Sequence, residues 1–240
     1  MTKYTTKLNE RRDVAEGTMA FHLEKPPGFQ FKPGQYLNIT LIDPPETDEE
    51  GNTRSFSIAS APFEPDLVVA TRMRDTAFKR VFRKLSLKSE VRISGPFGSF
   101  TLHNDATRPA VFIVGGIGIT PFRSMILQAA KDRLGHELYL LYSNRRPEDA
   151  AFLDELQKAE GQNPNYKFIA TMTDIRKSER PWHGATGHIT NEMLTKWIRD
   201  SNGPIYYTAG PAGMVAAMRQ MLTTSGIGDD DIRTEEFTGY

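Results

Sequence analysis

The hydrophobic rhythm of this chain changes once, near residue 110, and that change limits the folds open to it. Before it, apolar residues recur in short runs: Thr18-Met19-Ala20-Phe21-His22-Leu23, Gln35 to Ile42, Arg54 to Ser60, Asp66 to Met73 and Glu90 to Ser94. Pro26-Pro27-Gly28, Pro33-Gly34, Pro44-Pro45 and Gly95-Pro96 punctuate them. Roughly six strands with such breaks predict an antiparallel barrel. One helix is expected near Ala77 to Leu85, with Phe78, Val81, Phe82 and Leu85 on one face. After residue 110 the pattern is strand–helix–strand. Ala110 to Val114 is a continuous apolar run, as a strand buried on both faces requires. Pro121 to Arg133 reads as a helix with Pro at its first position. Glu137 to Tyr142, Tyr166 to Thr171, Ile205 to Thr208 and Ile232 to Glu235 read as strands. Pro147 to Ala159, Asn191 to Arg199 and Pro211 to Thr223 read as helices. The expectation is two domains: residues 1–104 as a six-stranded antiparallel Greek-key barrel, and residues 105–240 as an α/β doubly wound five-stranded parallel sheet.

Composition removes several classes of function. There is no cysteine, so disulfides, thiolate zinc sites and protein-held iron–sulfur clusters are excluded from this chain. Lys+Arg and Asp+Glu are both 30, so no global charge favours nucleic acid or an anionic membrane. The most apolar stretch, Ala110 to Ile119, is about half of a membrane span, so no membrane insertion is expected. Met1 to Glu10 lacks the apolar core of a signal peptide, and a cytoplasmic location is the expectation. His22, His103, His136, His183 and His188 show no ligand spacing, so no metal is expected. No Gly-x-Ser-x-Gly elbow supports serine-hydrolase chemistry. Asp43 to Asn52 reads as an acidic, solvated excursion.

Three segments can carry chemistry. Gly115-Gly116-Ile117-Gly118-Ile119-Thr120-Pro121 joins a buried strand to a helix. Small residues there let a backbone approach a phosphate, and the helix end offers free N–H groups; a purely structural turn has the same composition. Arg54-Ser55-Phe56-Ser57-Ile58-Ala59-Ser60 puts a cation, an aromatic ring and hydroxyls on one short strand. It suits a flat, phosphorylated ligand, or is an ordinary edge strand. Ser143-Asn144-Arg145-Arg146 follows the second strand of the later region. A hydroxyl with arginines suits a 2′-phosphate better than a free 2′-hydroxyl; a basic, solvated turn is the other reading.

Arg-x-Phe-Ser-x-x-Ser, Gly95-Pro96-Phe97-Gly98, Gly-Gly-x-Gly-x-Thr-Pro, Gly210-Pro211 and Glu236-Phe237-x-Gly-Tyr follow one another along essentially the whole chain. In that order they resemble the ferredoxin–NADP reductase superfamily of flavoproteins. The resemblance implies a flavin-binding barrel before a nicotinamide-nucleotide domain, with FAD and NADPH as cofactors and NADH possible. It implies that Arg54 contacts the flavin pyrophosphate, that Ser55 is among the cofactor-binding residues, that Phe56 stacks on the ring, and that Ser57 lies near the hydride-accepting nitrogen. Phe56 stands where the family usually has Tyr. Arg72 and Met73 would line the flavin. Phe78 takes the place of a family Ser, so phosphate contact there would fall to backbone N–H groups or Thr76. Gly116, Gly118, Thr120, Gly210 and Pro211 would serve the nucleotide, with Thr120 near the nicotinamide and Ser143 and Arg145 at the ribose. Ala209 replaces a family Cys. Phe237 or Tyr240 would cover the flavin face, and Ser57, Thr120 and Phe237 are the expected catalytic positions. The Trp182-x-Gly-x-x-Gly stretch with His188 also resembles the family and reads as a structural loop.

The expected activity is NAD(P)H-dependent reduction of bound flavin, then electron delivery to an external acceptor such as ferredoxin, flavodoxin or an oxygenase partner. A reductase of free flavin and a non-catalytic flavin-binding subunit are the alternatives. Arg72, Arg74, Lys79, Arg80, Arg83, Lys84, Lys88 and Arg92 face only Asp75 and Glu90 across their window. That excess suits docking of an acidic redox protein, or is a solvated helix face.

Overall fold

The computed structural model describes residues 2–198 and 203–237. The first sheet contains β1 (Lys3–Ala15), β2 (Thr18–Glu24), β3 (Tyr36–Leu41), β4 (Thr53–Ser57), β5 (Asp66–Arg72) and β6 (Glu90–Phe97). Their order is β4-β3-β6-β1-β2-β5 and every pairing is antiparallel. β3 shows why: Leu37, Ile39 and Leu41 point inward while Tyr36, Asn38 and Thr40 are half-buried. The chain leaving β4 closes the curl, because Ala59 N–H donates to Val68 O on β5 at 2.7 Å. Inside lie Phe21, Phe56, Phe78 and Phe82, with Phe21 stacked on Phe82 at 3.8 Å. Helix α1 (Ala77–Lys84) plugs one end of this core. Its Ala77, Phe78, Val81 and Phe82 are buried, and Thr76 caps it by accepting from Lys79 N–H at 3.3 Å.

The second sheet is built from β7 (Ala110–Gly115), β8 (Leu138–Asn144), β9 (Tyr166–Met172), β10 (Ala185–Thr186), β11 (Ile205–Pro211) and β12 (Ile232–Phe237). It runs β10-β9-β8-β7-β11-β12 with every pair parallel. It has six strands where five are expected from the sequence. The extra one is the two-residue β10, too short to leave a hydrophobic period. Helices α2 (Ile119–Asp132), α3 (Leu153–Ala159), α4 (Asn191–Trp197) and α5 (Ala212–Thr224) connect the strands. Apolar clusters lie on both faces of β7 and β8, as their unbroken apolar runs require.

Three local details differ from the sequence reading. A 3-10 turn, Gly116–Gly118, precedes α2, so Pro121 is the third helical residue rather than the first. The segment from Pro147 is split. A 3-10 turn covers Pro147–Asp149, Phe152 takes a left-handed φ of 59°, and only Leu153–Ala159 is α-helical. β1 is thirteen residues long although most of its side chains are polar, because Lys3–Lys7 pair with β6 and Leu8–Ala15 go on to pair with β2.

α2 joins the two sheets. Arg123 on α2 is almost fully buried. It donates to Ala59 O at 2.8 Å, to Glu64 at 2.9 and 3.0 Å, and to Glu155 on α3 at 2.6 and 2.8 Å. Next to it, the Ser124 hydroxyl donates to Ser60 O at 2.7 Å. This seam fixes how the barrel edge meets the glycine turn after β7.

Candidate functional site

Two cavities lie along the seam. The first, about 440 Å³, opens between β4, β5, the start of α1 and the turn after β7. Arg54, Ser55, Phe56, Ser57, Arg72 and Thr76 line it from the barrel side. Ile117, Thr120 and Phe237 close it from the other. The second, about 370 Å³, lies at the carboxyl ends of β7, β8 and β11, where doubly wound sheets take ligands. Arg72 borders both cavities, so they meet at that side chain.

In the first cavity the cations are Arg54, Arg72 and Lys79, against one lining carboxylate, Glu50. Arg54 is already engaged. Its guanidinium pairs with Asp48 at 2.6 Å and Glu50 at 3.0 Å, and donates to the Glu50, Gly51 and Thr53 carbonyls. It also lies over the Phe78 ring, 5.4 Å from the centroid. The pairing with Arg54 holds the Asp48 carboxyl below its ordinary range. The acidic stretch 43–52 is largely exposed, as its composition predicts, but its later part folds back and wraps Arg54. Lys79 has no such partner among the described residues, and burial beside Arg74 and Arg54 lowers its pKa.

Phe56 is 9% exposed and packs against Phe78 and Phe82, with ring centroids 5.8 and 6.3 Å away. Its ring belongs to the barrel core and only an edge reaches the cavity. Ser55 donates to Asn38 Oδ1 at 2.6 Å. Ser57 is buried at the cavity wall, one register step from Phe56 and opposite Tyr36 on β3. Met73 packs against the barrel core and lines neither cavity. Thr120 lines the first cavity, not the second, and its hydroxyl donates to Ile117 O at 3.2 Å.

The second cavity brings together Arg72, Arg74, Ser143, Asn144, Arg145 and His188, with no Asp or Glu in its lining. Gly116, at φ 53°, and Pro211 also border it. Asn144 is buried, and both its amide atoms lack a protein hydrogen-bond partner. Buried amides left this way mark a place for a polar ligand or water. Arg146 turns away, pairing with Glu16 at 2.7 Å and Asp149 at 2.9 Å. Of the two adjacent arginines, only Arg145 faces the cavity. Gly118 and Gly210 do not line it. A Cβ on Gly118 would lie 2.4 Å from Ala209 O, and one on Gly210 3.0 Å from Gly115 O. These two glycines let β11 pass against the turn after β7, so they shape the cavity wall from behind. His188, expected in a structural loop, reaches the cavity from that loop. Tyr240 lies outside the described residues.

Sequence reasoning missed Glu235. It sits two residues before Phe237 on β12, hence on the same face. Its Oε2 is buried without a partner, and desolvation pushes its pKa up to about 7. Strand alternation back from Phe237 is the signal that points to it. Arg74 was also missed as a site residue, because only the packing of the two sheets brings it to the second cavity. Among the described residues, no group of three or more His, Cys, Asp or Glu is placed to hold a metal ion. No described helix is long and apolar enough to cross a membrane.

Comparison with known proteins agrees with this architecture. Residues 112–220 match the oxidoreductase NAD-binding domain family. The chain is 27% identical over 233 residues to the glycine betaine monooxygenase reductase subunit of Chromohalobacter salexigens, covering 96% of this chain and 62% of that one. It is 28% identical to the propane 2-monooxygenase reductase component of Rhodococcus jostii, covering 89% and 57%. The chain thus spans about three fifths of the length of these relatives. In structure it resembles a ferredoxin–NADP+ reductase from Neisseria gonorrhoeae solved with FAD and NADP. The TM-score is 0.80 at 20% identity, covering 98% of both chains. The chain therefore has the ferredoxin–NADP reductase fold, an antiparallel barrel sheet followed by a parallel α/β sheet. More particularly, residues 112–220 of its second region are similar to the oxidoreductase NAD-binding domain family.

Proposed function

We propose that the chain is an NAD(P)H-dependent flavoprotein reductase. In this reading residues 1–104 hold FAD and residues 105–240 hold the nicotinamide nucleotide, with NADPH preferred. The observation that carries it is the pair of cation-lined cavities meeting at Arg72, one in the barrel and one at the carboxyl edge of the parallel sheet. Both fit phosphorylated ligands. The first offers Arg72 and Lys79 with an aromatic edge at Phe56. The second offers three arginines, the orphaned Asn144 amide and no carboxylate.

Bound FAD would supply the redox chemistry, accepting hydride from the nucleotide and releasing electrons to a partner. The chain's own work is positional. Arg145 and Ser143 hold the ribose end of the nucleotide, and Asn144 offers its free amide. Gly116 and Pro211 shape the phosphate path. Thr120, Ser57 and Phe237 converge on the first cavity, where Phe237 covers the site and keeps water out. Glu235, two residues earlier on the same face of β12, is able to hold a proton near neutral pH. The acceptor is a separate redox protein, such as the oxygenase component served by reductases like those named above, met in the cytoplasm.

Purified protein given FAD and mixed anaerobically with NADPH tests the reading. Retention of a yellow chromophore that NADPH bleaches faster than NADH is expected. A protein that retains no flavin, or a bound flavin that neither nucleotide bleaches, would refute it.

A further inference from the structure

Arg72 and Arg74 reach the second cavity from the barrel and Arg145 from the parallel sheet, and one short turn bridges the two sources. The two-residue turn Glu16-Gly17 joins β1 to β2, since Ala15 pairs directly with Thr18. Gly17 takes a φ of 62°, which a residue without Cβ adopts without strain. On one side the turn holds the barrel chain. The Gly17 carbonyl accepts from Met73 N–H at 2.8 Å, one residue past the end of β5. Met73 stands between Arg72 and Arg74, so this bond fixes the backbone from which both arginines reach the cavity. On the other side the turn is held by the segment after β8. Glu16 N–H donates to Glu148 O at 2.7 Å, and the Glu16 carboxylate accepts from Arg146 at 2.7 Å. Arg146 is itself aimed by Asp149, to which it donates at 2.9 and 3.0 Å. Of the two adjacent arginines, Arg145 lines the cavity and Arg146 holds the turn. The clasp on α2 fixes how far apart the sheets stand; the Glu16 turn fixes where the chain goes once it leaves β5.

We propose that Arg146 is a positioning residue for the second cavity: through Glu16 and the Gly17 carbonyl it holds Met73, and with it Arg72 and Arg74, at the cavity border. The assignment rests on the reading above that this cavity takes the nicotinamide nucleotide. It gives a cation that does not line the cavity a part in the affinity for a phosphorylated ligand. The Glu16 side chain is 63% exposed, and an ion pair so open to water contributes little to stability. Its effect is on geometry, and that separates it from an ion pair that only holds the fold together.

The test is a calorimetric titration of the full chain with NADP+, with thermal unfolding of the same samples. Arg146→Gln and Glu16→Gln are each expected to weaken NADP+ binding about two- to fivefold, the reach of one exposed pair. Tm is expected to stay within about 2 °C of the parent. The double variant is expected to bind no more weakly than the weaker single variant, because both changes open the same link. Arg146→Lys keeps the charge and is expected to recover most of the affinity. In an Arg74→Gln background, Arg146→Gln is expected to lose most of its effect. Unchanged NADP+ affinity in the two single variants would overturn the assignment. So would losses that add in the double variant, or that persist in full without Arg74. A fall in Tm beyond about 5 °C would make the pair a structural one and overturn it as well. A parent chain that binds no NADP+ sinks the nucleotide reading itself, a result seen before any variant is made.

Discussion

Replacing Glu235 by Gln should change how stability depends on pH. In the folded chain desolvation raises this carboxyl from its ordinary 4.5 to about 7. At 1.36 kcal/mol per pH unit of pKa difference, that corresponds to about 3 kcal/mol. Glu235 is only partly buried, so screening reduces it, and about 2 kcal/mol is the working figure. The sign follows from proton uptake. The folded chain holds the proton more tightly than the unfolded chain, so the favourable contribution is complete below pH 4.5. It is lost as pH rises through 7, where the buried carboxylate must ionise. Gln keeps the shape and cannot ionise. The stability of Glu235→Gln minus that of the parent should therefore rise by about 2 kcal/mol between pH 4.5 and pH 8. Urea denaturation at both pH values, on matched protein, gives the difference. A constant offset across that window would refute the reasoning, because it would mean that Glu235 titrates as an ordinary carboxylate.

Three further substitutions probe the seam and the second cavity. Arg123→Met leaves Glu64 and Glu155 without their cation and should cost about 3 kcal/mol, the low end for a broken buried pair because both carboxylates still reach water; an unchanged urea midpoint would contradict it. Gly118→Ala places a methyl 2.4 Å from the Ala209 carbonyl, and backbone cannot move aside as a side chain can. Destabilisation of about 3 kcal/mol or failure to accumulate is expected, and normal thermal unfolding of a well-expressed variant would count against it. Arg145→Ala should raise KM for NADPH more than KM for NADH. Steady-state kinetics with both nucleotides decide it, and equal effects would remove the 2′-phosphate argument.

Much of this architecture was legible because it is local. A doubly buried strand must be apolar throughout, so Ala110 to Val114 announces β7. A helix beginning within a few residues needs a turn with small side chains, and Gly115 to Gly118 supplies it. Those two facts place the second cavity. The grip of the acidic loop on Arg54 was not legible, for a physical reason. Its composition is that of solvated chain, and only the folded path from Asp48 to Thr53 shows that Asp48 and the Glu50, Gly51 and Thr53 carbonyls converge on Arg54. Phe56 was expected at the cavity surface, yet alternation cannot say whether a ring ends in the core or beside it; Phe78 and Phe82 decide that. Arg74 and His188 come to the second cavity from elements more than a hundred residues apart, so no spacing rule could pair them. β10 carries too few residues to register as a strand.

What these long-range features share is the seam. Arg72 touches both cavities from the end of β5, and its reach has meaning only if β5 is held at a fixed distance from the turn after β7. That distance is not set by a flexible connection. It is set by Arg123, which ties a barrel carbonyl and Glu64 to α3, and by the Ser124 hydroxyl on Ser60 O. α2 begins at the glycine turn that walls both cavities and carries the two residues of the clasp one turn later. The helix that follows this turn is therefore the helix that grips the barrel. A displacement at either end would be felt at the other, because packed interiors transmit strain rather than absorb it. The separation of the two cavities is therefore governed by one helix. On this view the clasp is part of the site although neither of its side chains lines a cavity.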